Sequence, residues 1–315
     1  MKSKPFTKLT GVSATLIVFA CALAFLYFCN PLLQEKFGLS GFFASELILF
    51  AFALLACAVT RQSLREVFPC SRPLVRQILG VPVIWCGMYG ISGVVILLTF
   101  LFAPEEMIGV SESMSAFLAD MPPLLAVLLI AVTPAVCEEG LCRGFLLQGL
   151  RPLKNRWLII ALNGLLFGAL HLDAYRFAAT AAMGCALAYI ALKTDNLILC
   201  ALFHFLNNLP SAFLAGQIPA ETADYALVSL ASDSFFSPAI LISAACFMLF
   251  PSPWLFLGGS VLLRKRGAPV AHLTAKLITA GVVSAVCLIF GFIALFSAGY
   301  ELSGKLMSGE IQLPL

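Results

Sequence analysis

Two adjacent carboxylates and a guanidinium sit where the neighbouring residues belong in hydrocarbon. Cys137-Glu138-Glu139-Gly140-Leu141-Cys142-Arg143 reads EExxxR and closes an apolar run that starts near Met121. Ionisable groups inside a bilayer are expensive and mark function. Neighbours on a helix point about 100° apart, so Glu138 and Glu139 cannot share one role. Glu139 and Arg143, four apart, can pair on one face. That leaves Glu138 for another face, free to serve as a general base. The competing reading makes both acids plain charge partners of Arg143, a costly way to join helices in lipid.

Two later segments repeat the anomaly. Phe167-Gly168-Ala169-Leu170-His171 places an aromatic ring one turn before an imidazole, close enough to pack on it. His204-Phe205-Leu206-Asn207-Asn208 places His204 and Asn208 four apart on one helical face, where both can donate hydrogen bonds to one small group. Taken singly, each has a bland reading: an interfacial histidine, or an interhelical hydrogen bond worth about 1 kcal/mol. Together they are more specific. Of three histidines in the chain, two fall beside the buried acid pair, and His272 lies in a basic loop. A carboxylate base, two imidazoles and an amide suffice to hydrolyse a peptide bond, the base activating water and the donors holding the oxyanion. No Ser or Cys nucleophile is required. Cys137 and Cys142 flank the acids, but a thiol in apolar surroundings is normally inert.

These segments need helices in a membrane to hold them. The 315 residues are 61% hydrophobic and 11% charged, with a mean hydropathy of +1.00; soluble domains carry about 25% charged residues. The composition predicts an all-α, polytopic transmembrane bundle. The runs are too long and too uniformly apolar for a transmembrane barrel. Nine apolar spans are expected, at about 10–33, 42–60, 78–103, 121–149, 157–172, 175–193, 197–216, 238–263 and 277–299. The fifth and sixth are short, and the fourth is long enough to tilt or to break near Gly140 and Gly144. Residues 104–120 read as an outer, weakly amphipathic interfacial stretch, and 217–236 as a second outer loop. If the N-terminus is cytoplasmic, fifteen of the nineteen Lys and Arg residues fall in inner segments, as the positive-inside rule requires. Glu46, early in the second span, is expected to snorkel to the outer interface. The chain divides into N-terminal helices (1–120), a core bearing the chemistry (121–216) and C-terminal helices (217–315). The basic residues lie in short loops between spans, which excludes a nucleic-acid surface. The eleven cysteines show no CxxC or zinc spacing.

EExxxR, FxxxH and HxxxN, in this order on successive membrane helices, resemble the CPBP family: type II CAAX prenyl proteases of the Rce1-like kind, with bacteriocin-processing and self-immunity (Abi) proteins. The likeness spans about residues 121–215. It implies an intramembrane endopeptidase in which Glu138 activates water with the help of His171. It implies His204 and Asn208 as the oxyanion pair, with Glu139, Arg143 and Phe167 in support. The implied partners are the bilayer and a membrane-associated protein or peptide substrate, lipidated or not, in a bacterial cytoplasmic membrane. Glu138, His171 and His204 could instead supply zinc ligands, but each comes from a different helix and HExxH is absent. The expectation is therefore a metal-free, cofactor-free enzyme, with the zinc version as an alternative. A non-catalytic scaffold or self-immunity protein that keeps the fold is the other alternative.

Overall fold

The computed structural model describes residues 6–118, 121–214, 238–265 and 272–308, and no strand occurs among them. We number the helices α1 (Lys8–Phe37), α2 (Leu39–Thr60), α3 (Val75–Phe102), α4 (Pro104–Leu118), α5 (Pro123–Leu153), α6 (Arg156–Leu170), α7 (Phe177–Thr194), α8 (Leu197–Leu214), α9 (Pro238–Leu262) and α10 (Leu273–Ser308). Seven of them (α1, α2, α3, α5, α7, α9 and α10) are long and apolar enough to cross a bilayer, and α6 and α8 are shorter apolar helices. They fall on the nine apolar runs of the sequence. The sixth run was expected to be short, yet α7 reaches 18 residues, while the apolar part of α8, Leu197–Phe213, is one of the shorter helices. The stretch read as interfacial forms the helix α4. The second outer loop lies outside the described residues.

α5 and α7 are the most enclosed of the long helices, because they carry small residues where neighbours cross. α6 presents Gly164-Leu-Leu-Phe-Gly168, a GxxxG spacing that lets backbones approach closely. A Cβ on Gly164 would lie 2.8 Å from the Ala181 carbonyl oxygen on α7. The approach costs little in water-free surroundings, where packing rather than hydrophobicity joins helices. The buried core runs through this hairpin and into α5 and α8, with Phe145, Leu187, Leu199 and Phe203 sealed inside it. α9 lies along α3, and Gln77 on α3 donates to the Leu263 carbonyl at 3.2 Å. At the end of the bundle that carries the basic loops, Asp195 accepts from Arg151 at 2.7 Å and from Lys265 at 2.9 Å, clasping the α7–α8 turn to its neighbours.

Candidate active site

The site is built on the irregularities of α5. Pro134 has no N–H, so the Ile130 carbonyl four residues earlier loses its helical donor. The helix widens to a π-helix over Val127–Val132. Asn208 on α8 then supplies the missing donor, its Nδ2 lying 3.0 Å from that carbonyl. A second π-helical stretch, Gly140–Leu146, follows the acids. Its Cys142 carbonyl accepts from Asn163 of α6 at 2.9 Å, and its Leu146 carbonyl from Thr15 of α1 at 3.1 Å. Neither stretch breaks the chain, so the fourth run is one widened helix. Such π-helical turns are frequent at functional sites, and Glu138 and Glu139 lie between these two.

The two carboxylates are held differently. Glu139 is sealed, with an exposure of 1%. Its Oε1 accepts from Arg143 at 2.7 Å and sits 2.9 Å from Nδ1 of His204. Arg143, equally enclosed, donates a second hydrogen bond to the Gly184 carbonyl of α7 at 3.0 Å. Its guanidinium lies 4.2 Å from the centre of the Phe167 ring, a cation–π contact strengthened by desolvation. Phe167 also meets both imidazoles edge-on, His171 at 4.8 Å and His204 at 5.7 Å between ring centres. Glu139, Arg143, Phe167, His171 and His204 thus form one continuous cluster from α5, α6 and α8. Its order follows from the helical period: the fourth residue after each partner returns to the same face.

Hydrogen bonding sets the two rings. Nδ1 of His171 lies 2.9 Å from the Phe167 carbonyl oxygen, which can only accept. Nδ1 is therefore protonated, and in the neutral ring Nε2 carries the lone pair. The Glu139 carboxylate likewise fixes the proton of His204 on Nδ1.

Glu138 is only partly buried, and no hydrogen bond or ion pair restrains it among the described residues. Glu46 of α2 lies near it. This corrects the expectation for Glu46, which does not snorkel: it is 8% exposed, and its Oε2 is buried without a hydrogen-bond partner among the described residues. The reason is packing. α2 crosses α5 with the Phe50 ring against Gly140, and Glu46, one turn before Phe50, is carried inward beside the acid pair. Sequence reasoning placed Glu46 at the wrong depth and passed over Asn163, which is buried. A carboxylate or amide inside an otherwise apolar helix was the available signal.

Asn208 is partly buried. One of its amide hydrogens serves Ile130, and its Oδ1 accepts from Asn207 at 3.1 Å, which leaves one N–H. Cys137 and Cys142 are buried. Glu138, His171 and His204 do not gather into a metal-ligand set, nor does any other group of three His, Cys, Asp or Glu among the described residues. Nδ1 of each imidazole is already engaged.

Residues 120–210 match the family model for Rce1-like, type II CAAX prenyl endopeptidases. The matched segment is under a third of the chain, and it holds all three motifs. The match supports the CPBP/CAAX protease family and with it a peptidase of the membrane, acting on a membrane-associated substrate. With its long apolar helices, the chain is an integral multi-pass membrane protein. No curated protein and no solved structure gives a match.

Proposed function

We propose that this chain, with its Rce1-like segment at 120–210, is a glutamate-dependent intramembrane endopeptidase. Glu138 takes a proton from a water molecule, whose oxygen attacks the scissile carbonyl. His171 helps to place that water through the free Nε2 lone pair of its neutral ring. The carbonyl oxygen becomes an oxyanion held by His204 and by the remaining N–H of Asn208. Collapse of the tetrahedral intermediate breaks the C–N bond, and the proton on Glu138 passes to the leaving amine. Glu139, Arg143 and Phe167 do no chemistry; they fix His204 and the α5–α7 spacing. No metal or cofactor enters the scheme.

One observation carries the reading: of two adjacent carboxylates, one is locked in a sealed ion cluster and the other is unrestrained. A structural triad would spend both acids on Arg143, and here Glu138 is not spent. The substrate is a membrane-associated protein or peptide, with a lipidated C-terminus as one arm of the test. The charge distribution favours a cytoplasmic N-terminus, and the breadth of the resembled family suggests a bacterial cytoplasmic membrane.

The test is proteolysis by the purified protein in liposomes, on peptides with and without a C-terminal prenylcysteine. Parent, Glu138→Gln and chelator-treated samples run together. Cleavage lost in Glu138→Gln and retained with chelator is the expected result. Loss on chelation with recovery on adding zinc assigns a metalloprotease instead. A cellular phenotype that persists unchanged in Glu138→Gln assigns a scaffold or self-immunity protein.

A further inference from the structure

A second site lies behind the catalytic cluster, on the far face of α7. A cavity of about 490 Å³ opens between α3, α6, α7, α9 and α10, within the range of about 300–1,000 Å³ usual for small-molecule sites. Met88, Ile160, Cys185, Ala186 and Phe256 make an apolar wall. One end of the cavity is polar, lined by Tyr189, Ser260 and Lys276, and two further cations stand beside that lining. Tyr189 and Ser260 meet there, hydroxyl to hydroxyl, at 2.6 Å. Lys193 donates to Tyr189 at 2.8 Å and to Ser260 at 2.5 Å. The Lys193 ammonium and the Arg156 guanidinium each lie 5.1 Å from the centre of the Tyr189 ring. Lys276 of α10 completes the rim.

Among the described residues neither Arg156, Lys193 nor Lys276 has a carboxylate partner, and the nearby Asp195 is held by Arg151 and Lys265. The sequence of the adjoining loop adds none: Arg264-Lys265-Arg266-Gly267-Ala268-Pro269-Val270-Ala271-His272-Leu273-Thr274-Ala275-Lys276 has four basic residues and no acid. Converging cations without anions cost free energy unless an anion joins them. The elements that supply them are the first turn of α6, the last turn of α7 and the first turn of α10, with Ser260 from the last turn of α9. All lie at the end of the bundle that carries the basic loops. Trp157, 70% exposed at the same level, is the amphipathic ring expected at a headgroup boundary.

We propose that this cavity is a binding site for one anionic phospholipid, with an acyl chain along the apolar wall and the phosphate among Arg156, Lys193 and Lys276. Basic pockets between transmembrane helices on the cytoplasmic side suit such headgroups. The apolar depth separates a lipid from a free phosphate, and the unneutralised cations separate an anionic lipid from a zwitterionic one. The back wall of the cavity is the helix whose Gly184 carbonyl anchors Arg143, so a bound lipid would brace the site from behind. The inference does not depend on the catalytic reading.

The experiment is native mass spectrometry of the full-length protein released from nanodiscs of equal phosphatidylglycerol and phosphatidylcholine, both palmitoyl-oleoyl. The expected result is one retained phosphatidylglycerol per chain, at least tenfold over phosphatidylcholine. The pair Arg156→Gln with Lys193→Gln should reduce retention by about 25-fold, each cation contributing about fivefold. Lys265→Gln, at the same end but committed to Asp195, should leave retention unchanged. Filling the wall with Ala182→Leu should lower retention of both lipids. Equal retention of the two lipids in the parent protein would overturn the proposal without recourse to any variant. An equal loss in Lys265→Gln would reduce the effect to general surface charge. Displacement of the lipid by millimolar inorganic phosphate would make it a phosphate site.

Discussion

Glu138→Gln and Glu139→Gln are nearly identical changes at adjacent positions, and the structure assigns them opposite consequences. Removing the Glu139 charge strips Arg143 of its ionic partner in a place sealed from solvent, leaving the guanidinium with the Gly184 carbonyl and the Phe167 ring. Breaking a buried pair from one side costs about 3–5 kcal/mol, because an uncompensated charge remains. At roughly 2–4 °C per kcal/mol for a medium-sized domain, the midpoint of thermal unfolding should fall on the order of 10 °C. Glu138 has no hydrogen bond or ion pair to lose among the described residues, so Glu138→Gln should stay within about 0.5 kcal/mol of the parent while cleavage disappears. The double change Glu139→Gln with Arg143→Met removes both charges and should recover part of the lost stability, but not activity. The assay pairs thermal unfolding of purified variants with cleavage in liposomes. Equal destabilisation by the two single changes, or cleavage surviving in Glu138→Gln, would refute the division of labour between the acids.

Other outcomes follow from single contacts. Glu46→Gln should raise thermal stability by about 1 kcal/mol, since an acid with a sealed, unpartnered oxygen is costly in apolar surroundings; it should also slow cleavage, and a variant less stable than the parent would make Glu46 a packing residue. Gly164→Val should cost about 1–3 kcal/mol by overpacking and lower activity with it, because α7 would be pushed away together with its anchor for Arg143; unchanged unfolding would show that the hairpin tolerates the wider spacing. Burial pushes the Asp195 carboxyl up, but hydrogen bonds from Lys265 and Arg151 outweigh this and hold it below the ordinary carboxylate range. A depressed folded value means that the clasp contributes fully above the unfolded value of about 3.9 and loses its contribution as pH falls through the folded value. Unfolding midpoints of the parent and Asp195→Asn should therefore differ at pH 7, by less than about 1 kcal/mol for so exposed a pair, and converge at acid pH; a constant gap would remove the charge from the explanation.

Much of this was legible in the sequence because hydropathy and helical period are local properties. The nine apolar runs match apolar helices among the described residues, seven of them long enough to cross a bilayer, and the four-residue spacings of Glu139–Arg143, Phe167–His171 and His204–Asn208 each fall on one face. What was not legible depends on what lies opposite. Nothing in α2 alone says whether Glu46 faces lipid or α5; the contact of Phe50 with Gly140 decides it. The widening of α5 was readable only in half, since Pro134 announces a lost hydrogen bond but not that Asn208 will restore it. Asn163 has no partner in its own helix, and its use appears only when the Cys142 carbonyl is seen to need a donor.

The same geometry constrains how His204 can serve. Its Nδ1 proton is committed to Oε1 of Glu139, so the neutral ring would present a bare Nε2 to the reaction. A bare nitrogen accepts and cannot hold an oxyanion. Donation from Nε2 requires the imidazolium, which needs an anion that stays ionised during the reaction. Glu139 supplies it: its carboxylate already accepts from the permanently charged Arg143, and its second oxygen is sealed from water. On the proposed mechanism Glu138, unrestrained, carries the proton of each turnover, while Glu139, locked, is the counter-charge that an imidazolium at His204 would need. Arg143→Lys should separate these tasks, since an ammonium keeps the charge but cannot span Glu139 and the Gly184 carbonyl in one planar fork. Cleavage should fall and its dependence on pH should change, while the chain stays folded. A variant that loses rate with an unaltered pH profile would leave Glu139 a purely structural partner and refer the oxyanion to Asn208 alone.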